Sequence, residues 1–211
     1  MTALPQFKSK TVPVIVITDV AQAIPMAHAL LAGGIDVMEI TLRHPAGLPA
    51  IAAVAKAVPE MCVGAGTVTT LDDVARVVDA GATFALSPGM TDSLIAAVQK
   101  ANLPFVPGVM TPGEVMRARD HGYGFVKLFP ATQAGGLGML KAMGGPLPDM
   151  RFCPTGGVSL ANMNEFLALP NVAMVGGSWL TPVNIVEAAA ASGDWSAITA
   201  LAQEATDQAS K

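Results

Sequence analysis

Most of the seven lysines in this chain lie near the termini or in helix-favouring stretches. Lys127 does not. It sits in the middle of an apolar run, with Phe125 and Val126 before it and Leu128 and Phe129 after it. Of the sixteen carboxylates, only Glu39 is placed the same way, in Val37-Met38-Glu39-Ile40-Thr41. Taking an amine out of water disfavours its charged form. A neutral amine is what attack on a ketone requires. A carboxyl in the same surroundings is suited to passing protons at neutral pH. A second reading stays open at this point: Lys127 and Glu39 could form a buried structural ion pair with no chemistry.

The charged residues need a scaffold. Short β-branched runs recur roughly every 20 residues, each followed by an Ala-rich, helix-favouring stretch. The expected strands are Val12–Thr18, Val37–Leu42, Cys62–Val68, Phe84–Pro88, Phe105–Val109, Phe125–Pro130, Arg151–Thr155 and Ala173–Trp179. Helices are expected to begin near Ala21, Ala46, Thr70, Thr91, Thr111, Gly135, Leu160 and Pro182. Thr70 precedes Asp72 and Asp73, and Asp92 and Glu114 fall early in their helices, as first-turn acids should. Gly33-Gly34, Gly81 and Gly122 fall where a left-handed residue would end a helix. Trp195 to Lys211 reads as a terminal amphipathic helix.

Eight strand–helix units point to an α/β chain folded as a single-domain (β/α)8 TIM barrel over residues 1–211. A flavodoxin-like or Rossmann sheet is the structural rival, but no G-x-G-x-x-G follows the first strand.

In such a barrel, reactive groups collect at the carboxyl ends of the strands. Lys127 falls near the end of the sixth expected strand and Glu39 near the end of the second. Arg43 follows the second, Thr67 ends the third, Thr155 ends the seventh and Ser178 lies near the end of the eighth. A structural network has no reason to gather polar groups on one rim. Gly156-Gly157 and Gly176-Gly177-Ser178 follow the seventh and eighth strands, the frequent phosphate position in these barrels. Glycines let backbone N–H groups approach an anion, although each pair alone could be a turn. Pro88 and Pro130 end strands sharply. For Pro130 that is the favoured role, and for Pro88 shaping of a site is an equal alternative. His28 and His121 read as surface residues, while His44 stands on the rim beside Arg43.

The composition agrees with small-molecule chemistry. The chain has 211 residues, 52% apolar and only 13% charged, with net charge −4. That suits strands covered on both faces. No basic block exists to bind nucleic acid. Cys62 and Cys153 both sit in apolar runs and read as reduced core thiols. No signal peptide and no membrane-spanning run is visible, so a soluble cytoplasmic protein is expected. No metal-ligand spacing appears either, and metal-independent chemistry is expected.

The segments Glu39-Ile40-Thr41-Leu42-Arg43, Gly64-Ala65-Gly66-Thr67-Val68, Ser87-Pro88-Gly89, Lys127-Leu128-Phe129-Pro130-Ala131, Phe152-Cys153-Pro154-Thr155-Gly156-Gly157 and Gly176-Gly177-Ser178-Trp179 occur in that order. Over roughly Val12 to Pro182 they resemble the 2-keto-3-deoxy-6-phosphogluconate (KDPG) aldolases, which often double as 4-hydroxy-2-oxoglutarate (KHG) aldolases.

The resemblance implies a class I aldolase that cleaves a small keto acid to pyruvate and an aldehyde. It implies Lys127 as Schiff-base lysine and Glu39 as general acid/base. Arg43 and Thr67 would hold the pyruvyl carboxylate, and Pro88, Phe129 and Thr155 would line the pocket. Gly156, Gly157, Gly176, Gly177 and Ser178 would cradle the phosphate. It further implies a homotrimer with no metal and no cofactor. Two residues depart from the pattern: His44 stands where Thr is frequent, and Leu128 where an aromatic is common. His44 puts the balance between phosphorylated and unphosphorylated substrates in question. Three rivals remain: the aldolase for the galactonate-derived epimer, a non-catalytic phosphate-binding barrel, and a metal-dependent class II aldolase.

Overall fold

The computed structural model describes residues 3–209. Nine short strands and nine α-helices alternate along these residues. The first strands are β1 (Thr11–Ile15), β2 (Val37–Thr41), β3 (Cys62–Gly66) and β4 (Phe84–Leu86). β5 (Phe105–Val106), β6 (Gly108–Val109), β7 (Phe125–Leu128), β8 (Arg151–Pro154) and β9 (Val175–Gly177) follow. Between them run α1 (Ala23–Ala32), α2 (Gly47–Ala57), α3 (Leu71–Asp79), α4 (Asp92–Lys100), α5 (Pro112–Asp120), α6 (Gly136–Gly144) and α7 (Met163–Leu167), and α8 (Val183–Ser192) follows β9. α9 (Ser196–Ala209) comes last.

All strand pairing is parallel, in the orders β5-β4-β3-β2-β1-β9 and β6-β7-β8. The six-stranded sheet curls into a half-barrel, giving an α/β fold. The expected fifth strand is split. Pro107 falls at its middle, has no N–H for the ladder, and leaves two two-residue pieces. Isolated bridges join Phe152 to Val172 and Thr155 to Gly176.

Most strands end earlier than expected. β1 stops at Ile15, β4 at Leu86 and β7 at Leu128, two or three residues short. β9 keeps only Val175–Gly177 of the expected Ala173–Trp179. The lost residues are those that turn the chain at the strand ends, where propensity still reads as strand. The first helix also starts later. Asp19 caps a 3-10 turn at Val20–Gln22 before α1 begins. α7 is only five residues long.

The helix signals work through local bonds. Thr70 and Asp73 form a capping box on α3, and Thr111 and Glu114 form another on α5. Thr91 caps α4. Gly34, Gly81 and Gly122 take φ of 84°, 83° and 86°, in the left-handed region that ends a helix. α9 buries Ile198, Ala202 and Ala205, and packs chiefly on α1. Ala202 sits so close to Gly33 that no Cβ fits there. The last two residues of the expected terminal helix lie outside the described residues. Among the described residues no helix is long and apolar enough to cross a membrane.

Burial opposes ionisation of the Glu114 carboxyl. Hydrogen bonds from the Met110 and Thr111 amides and the Thr111 hydroxyl outweigh it, so the pKa is held below the usual carboxylate value. A depressed folded-state pKa stabilises the fold above the unfolded value, about 4.3, and that stability is lost as pH falls through the folded value. Thr111→Ala is therefore expected to cost about 1 kcal/mol at pH 7. The deficit should shrink as pH drops below about 4. Urea unfolding of the two proteins across pH checks this.

Candidate active site

Lys127 is the third residue of β7, and Glu39 the third of β2. Parallel register sets each among small or apolar neighbours. Lys127 lies level with Gly108 and Cys153, and Glu39 with Val14 and Gly64. The Lys127 Nζ donates to Glu39 Oε1 at 3.0 Å and reaches Oε2 at 3.4 Å. The two side chains are only 6% and 2% exposed, so water does not screen the pair. The Phe129 ring centroid lies 5.4 Å from the amine, close enough for a cation–π contact.

The surroundings explain why a carboxylate fits here. A Cβ at Gly66 would land on the Glu39 carboxylate, so the missing side chain is what seats it. At Gly108 a Cβ would strike the backbone of Pro88. Both glycines leave room around the pair, and in the sequence Gly66 is marked only by its place in Gly64-Ala65-Gly66-Thr67-Val68. Cys153 was read as a core thiol, and it is. Burial pushes its pKa up to about 12, against the pull of the nearby Lys127 charge. It stays a protonated, apolar wall beside the amine. Cys62, expected in the core, is only half-buried.

Thr67 directly follows β3 with φ 63°, unusual for a β-branched residue. Such a conformation costs roughly 1–3 kcal/mol and persists only where the surroundings enforce it. Thr155 is buried and its backbone oxygen accepts from the Ala131 amide. Its hydroxyl occupies the space a Cβ on Gly176 would need. Gly177 likewise makes room for the Trp179 ring. Both glycines lie within β9, so they have a packing reason as well as any ligand role. Gly156 and Gly157 take φ of 96° and 78° and form the turn after β8.

Not every expected residue gathers at the amine. Arg43 is exposed, and its Nε donates to Thr41 Oγ1 at 3.3 Å. Thr41 in turn donates to the Ile15 carbonyl. Arg43 and Ser178 line a cleft beside β1 whose walls include neither Lys127 nor Glu39. Pro88 is exposed at the end of its strand. His44 accepts from the Ala46 amide through Nδ1, which makes it part of the turn entering α2. His28 is exposed, and His121 is half-buried against Asp92. Among the described residues no group of three or more His, Cys, Asp or Glu is placed to hold a metal ion.

A family comparison matches residues 6–201 to KDPG and KHG aldolase. This chain belongs to the KDPG and KHG aldolase family. The 2-dehydro-3-deoxy-phosphogluconate aldolase of Pseudoalteromonas atlantica is 52% identical over 194 residues, covering 92% of this chain and 88% of the relative. The KHG/KDPG aldolase of Escherichia coli K12 is 48% identical over 198 residues, covering 94% and 91%. Among solved structures, a KDPG aldolase from Legionella pneumophila superposes with a TM-score of 0.89 at 45% identity, over 94% of both chains. That aldolase was crystallised with pyruvate captured at low pH as a covalent carbinolamine intermediate.

Removing one partner of a buried pair strands the other charge. Lys127→Ala is therefore expected to destabilise the fold by about 3–5 kcal/mol at pH 7. The double variant Lys127→Met/Glu39→Gln, which leaves no buried charge, should recover most of that loss. Denaturant unfolding of the three proteins measures both.

Proposed function

We propose that this protein is a class I aldolase that cleaves 2-dehydro-3-deoxy-6-phosphogluconate to pyruvate and glyceraldehyde 3-phosphate. We extend the reading to 4-hydroxy-2-oxoglutarate, cleaved to pyruvate and glyoxylate. The observation that carries it is the water-excluded amine of Lys127, 3.0 Å from a carboxylate that can take and return its proton. Family membership and the carbinolamine of the Legionella relative support it.

In this reading a proton passes from the Lys127 ammonium to Glu39, and the neutral amine attacks C2 of the keto acid. The resulting carbinolamine takes a proton from Glu39 and loses water to give an iminium ion. Glu39, again a carboxylate, removes the C4 hydroxyl proton. The C3–C4 bond breaks, its electron pair flows to the iminium nitrogen, and the aldehyde leaves. The enamine is then protonated at C3, and water releases pyruvate. Placing Glu39 against the amine lets one group serve each proton transfer.

Arg43 and Thr67 hold the pyruvyl carboxylate, Arg43 in a bidentate manner. Because Arg43 is exposed, turning its guanidinium inward disturbs no core packing. Pro88, Phe129 and Thr155 form the pocket walls. Gly156, Gly157, Gly176, Gly177 and Ser178 receive the phosphate, where the turn after β8 presents backbone N–H groups. The same reading takes β5 and β6 as one strand and the two sheets as one closed eight-stranded barrel. The single residue between β5 and β6 and the bridges from β8 towards β9 support that closure. One domain and a homotrimer complete the proposal, the trimer resting on the resemblance alone.

Borohydride reduction with pyruvate should label Lys127 irreversibly, as peptide mass mapping would show. Labelling elsewhere, or none, sinks the mechanism. Lys127→Ala should lower kcat by at least about a thousandfold. Activity retained in that variant would favour a non-catalytic pair. Assaying both C4 epimers separates the gluconate form from the galactonate form.

A further inference from the structure

A cleft of about 290 Å³ opens between the carboxyl end of β1 and the start of α8, and of its walls the steps above use only Arg43 and Ser178. Its polar walls are Thr18, Gln22, Arg43, Ser178, Thr181 and Glu187. Gln22 ends the 3-10 turn before α1 and is only 8% exposed. Its side-chain oxygen accepts from the Thr18 hydroxyl at 3.5 Å. Its NH2 group has no hydrogen-bond partner among the described residues. Turning the amide over would satisfy the nitrogen and leave the oxygen alone instead. Either way, the amide of a nearly buried residue keeps one polar atom without a protein partner on a cleft wall. Thr181 is also 8% exposed, and its hydroxyl has no protein partner among the described residues. Both groups open onto the cleft, where they can bond a ligand.

We infer that this cleft receives the hydroxyl on the carbon next to the aldehyde carbon, in the half of the substrate that leaves, and that Gln22 reads it. The inference rests on the aldolase reading. Three observations favour a neutral hydroxyl as occupant. The cleft holds one positive and one negative side chain, Arg43 and Glu187, so it offers a phosphate dianion no net attraction. Its hydrogen-bonding groups are an amide and several hydroxyls, which give and accept bonds as a polyol does. Between them Val16 and Val183, 41% and 70% exposed, offer apolar surface to a carbon chain. Arg43 and Ser178 line this cleft and, in the proposed function, also hold the carboxylate and the phosphate, so that reading puts the cleft beside the bound substrate.

A site that hydrogen-bonds a hydroxyl rejects the analogue lacking it, because its polar groups are then left unpaired. The test runs in the condensing direction. Pyruvate is offered with D-glyceraldehyde 3-phosphate and, separately, with 3-phosphopropanal, which lacks the 2-hydroxyl. The unsubstituted protein should favour the hydroxylated acceptor by about tenfold or more in kcat/KM. Gln22→Met, close in shape but without the amide, should cut that preference at least about fivefold. Its rate with the deoxy acceptor should stay within about twofold. An unchanged preference, or equal loss on both acceptors, would overturn the inference, since a packing role lowers both alike.

Thr18→Val removes the hydroxyl that Gln22 bonds, at an exposed position that tolerates change. It should shift the preference in the same direction by less, and an unchanged ratio there counts against the proposal even if Gln22→Met does not fold. If the unsubstituted protein traps pyruvate on Lys127 but shows no acceptor preference, only this inference falls. If it traps no pyruvate, the aldolase reading falls and takes this one with it.

Discussion

Two opposite charges 88 positions apart in the chain are held 3.0 Å from each other with almost no access to water. Taking an ammonium and a carboxylate out of water is expensive, and their attraction repays that only with good geometry. The rest of the local structure can be read as what makes this arrangement tolerable. β2 and β7 must be rigid enough to fix both stems. The ring of Phe129 faces the amine. Gly66 removes the one side chain that would displace the carboxylate. A protonated Cys153 lies level with Lys127 in the neighbouring strand and adds no competing charge. A pair so enclosed has few routes to exchange protons except within itself or with a bound substrate.

The strand ends around this pair are less regular than the strands. Thr67 is held at positive φ, Gly156 and Gly157 turn in the left-handed region, and Pro107 interrupts a ladder. Parallel strands in the middle of the sheet supply rigidity and apolar cover. The irregular termini supply N–H groups and polar side chains that regular pairing would consume. That division explains why the charged pair sits within strands while the remaining candidate ligands follow them. It also accounts for the glycines of β9, where close packing against Thr155 and Trp179 already requires the absence of a side chain.

Much of this was legible in the sequence. Alternating β-branched and Ala-rich segments located every strand and nearly every helix. Thr70, Thr91 and Thr111 marked helix starts because a side-chain cap is a bond between residues three apart. The strand ends were less legible. Ile17 and Val16 read as strand by type, yet β1 stops at Ile15, because whether a residue pairs depends on the neighbouring strand and not on itself. Proline at 107 was present in the expected fifth strand, and its missing donor was the signal for the break.

Sequence alone determined which residues are chemically out of place: a lysine and a glutamate inside apolar strands, with the segments that carry the family resemblance around them. Those are local properties, fixed by residue type and immediate neighbours. Tertiary structure alone decided that the two meet and that Gly66 is the seat of the carboxylate. Those facts depend on register between strands distant in the chain. Spacing along one strand carries no information about it, because non-local pairing and the packing of helices against the sheet set it together.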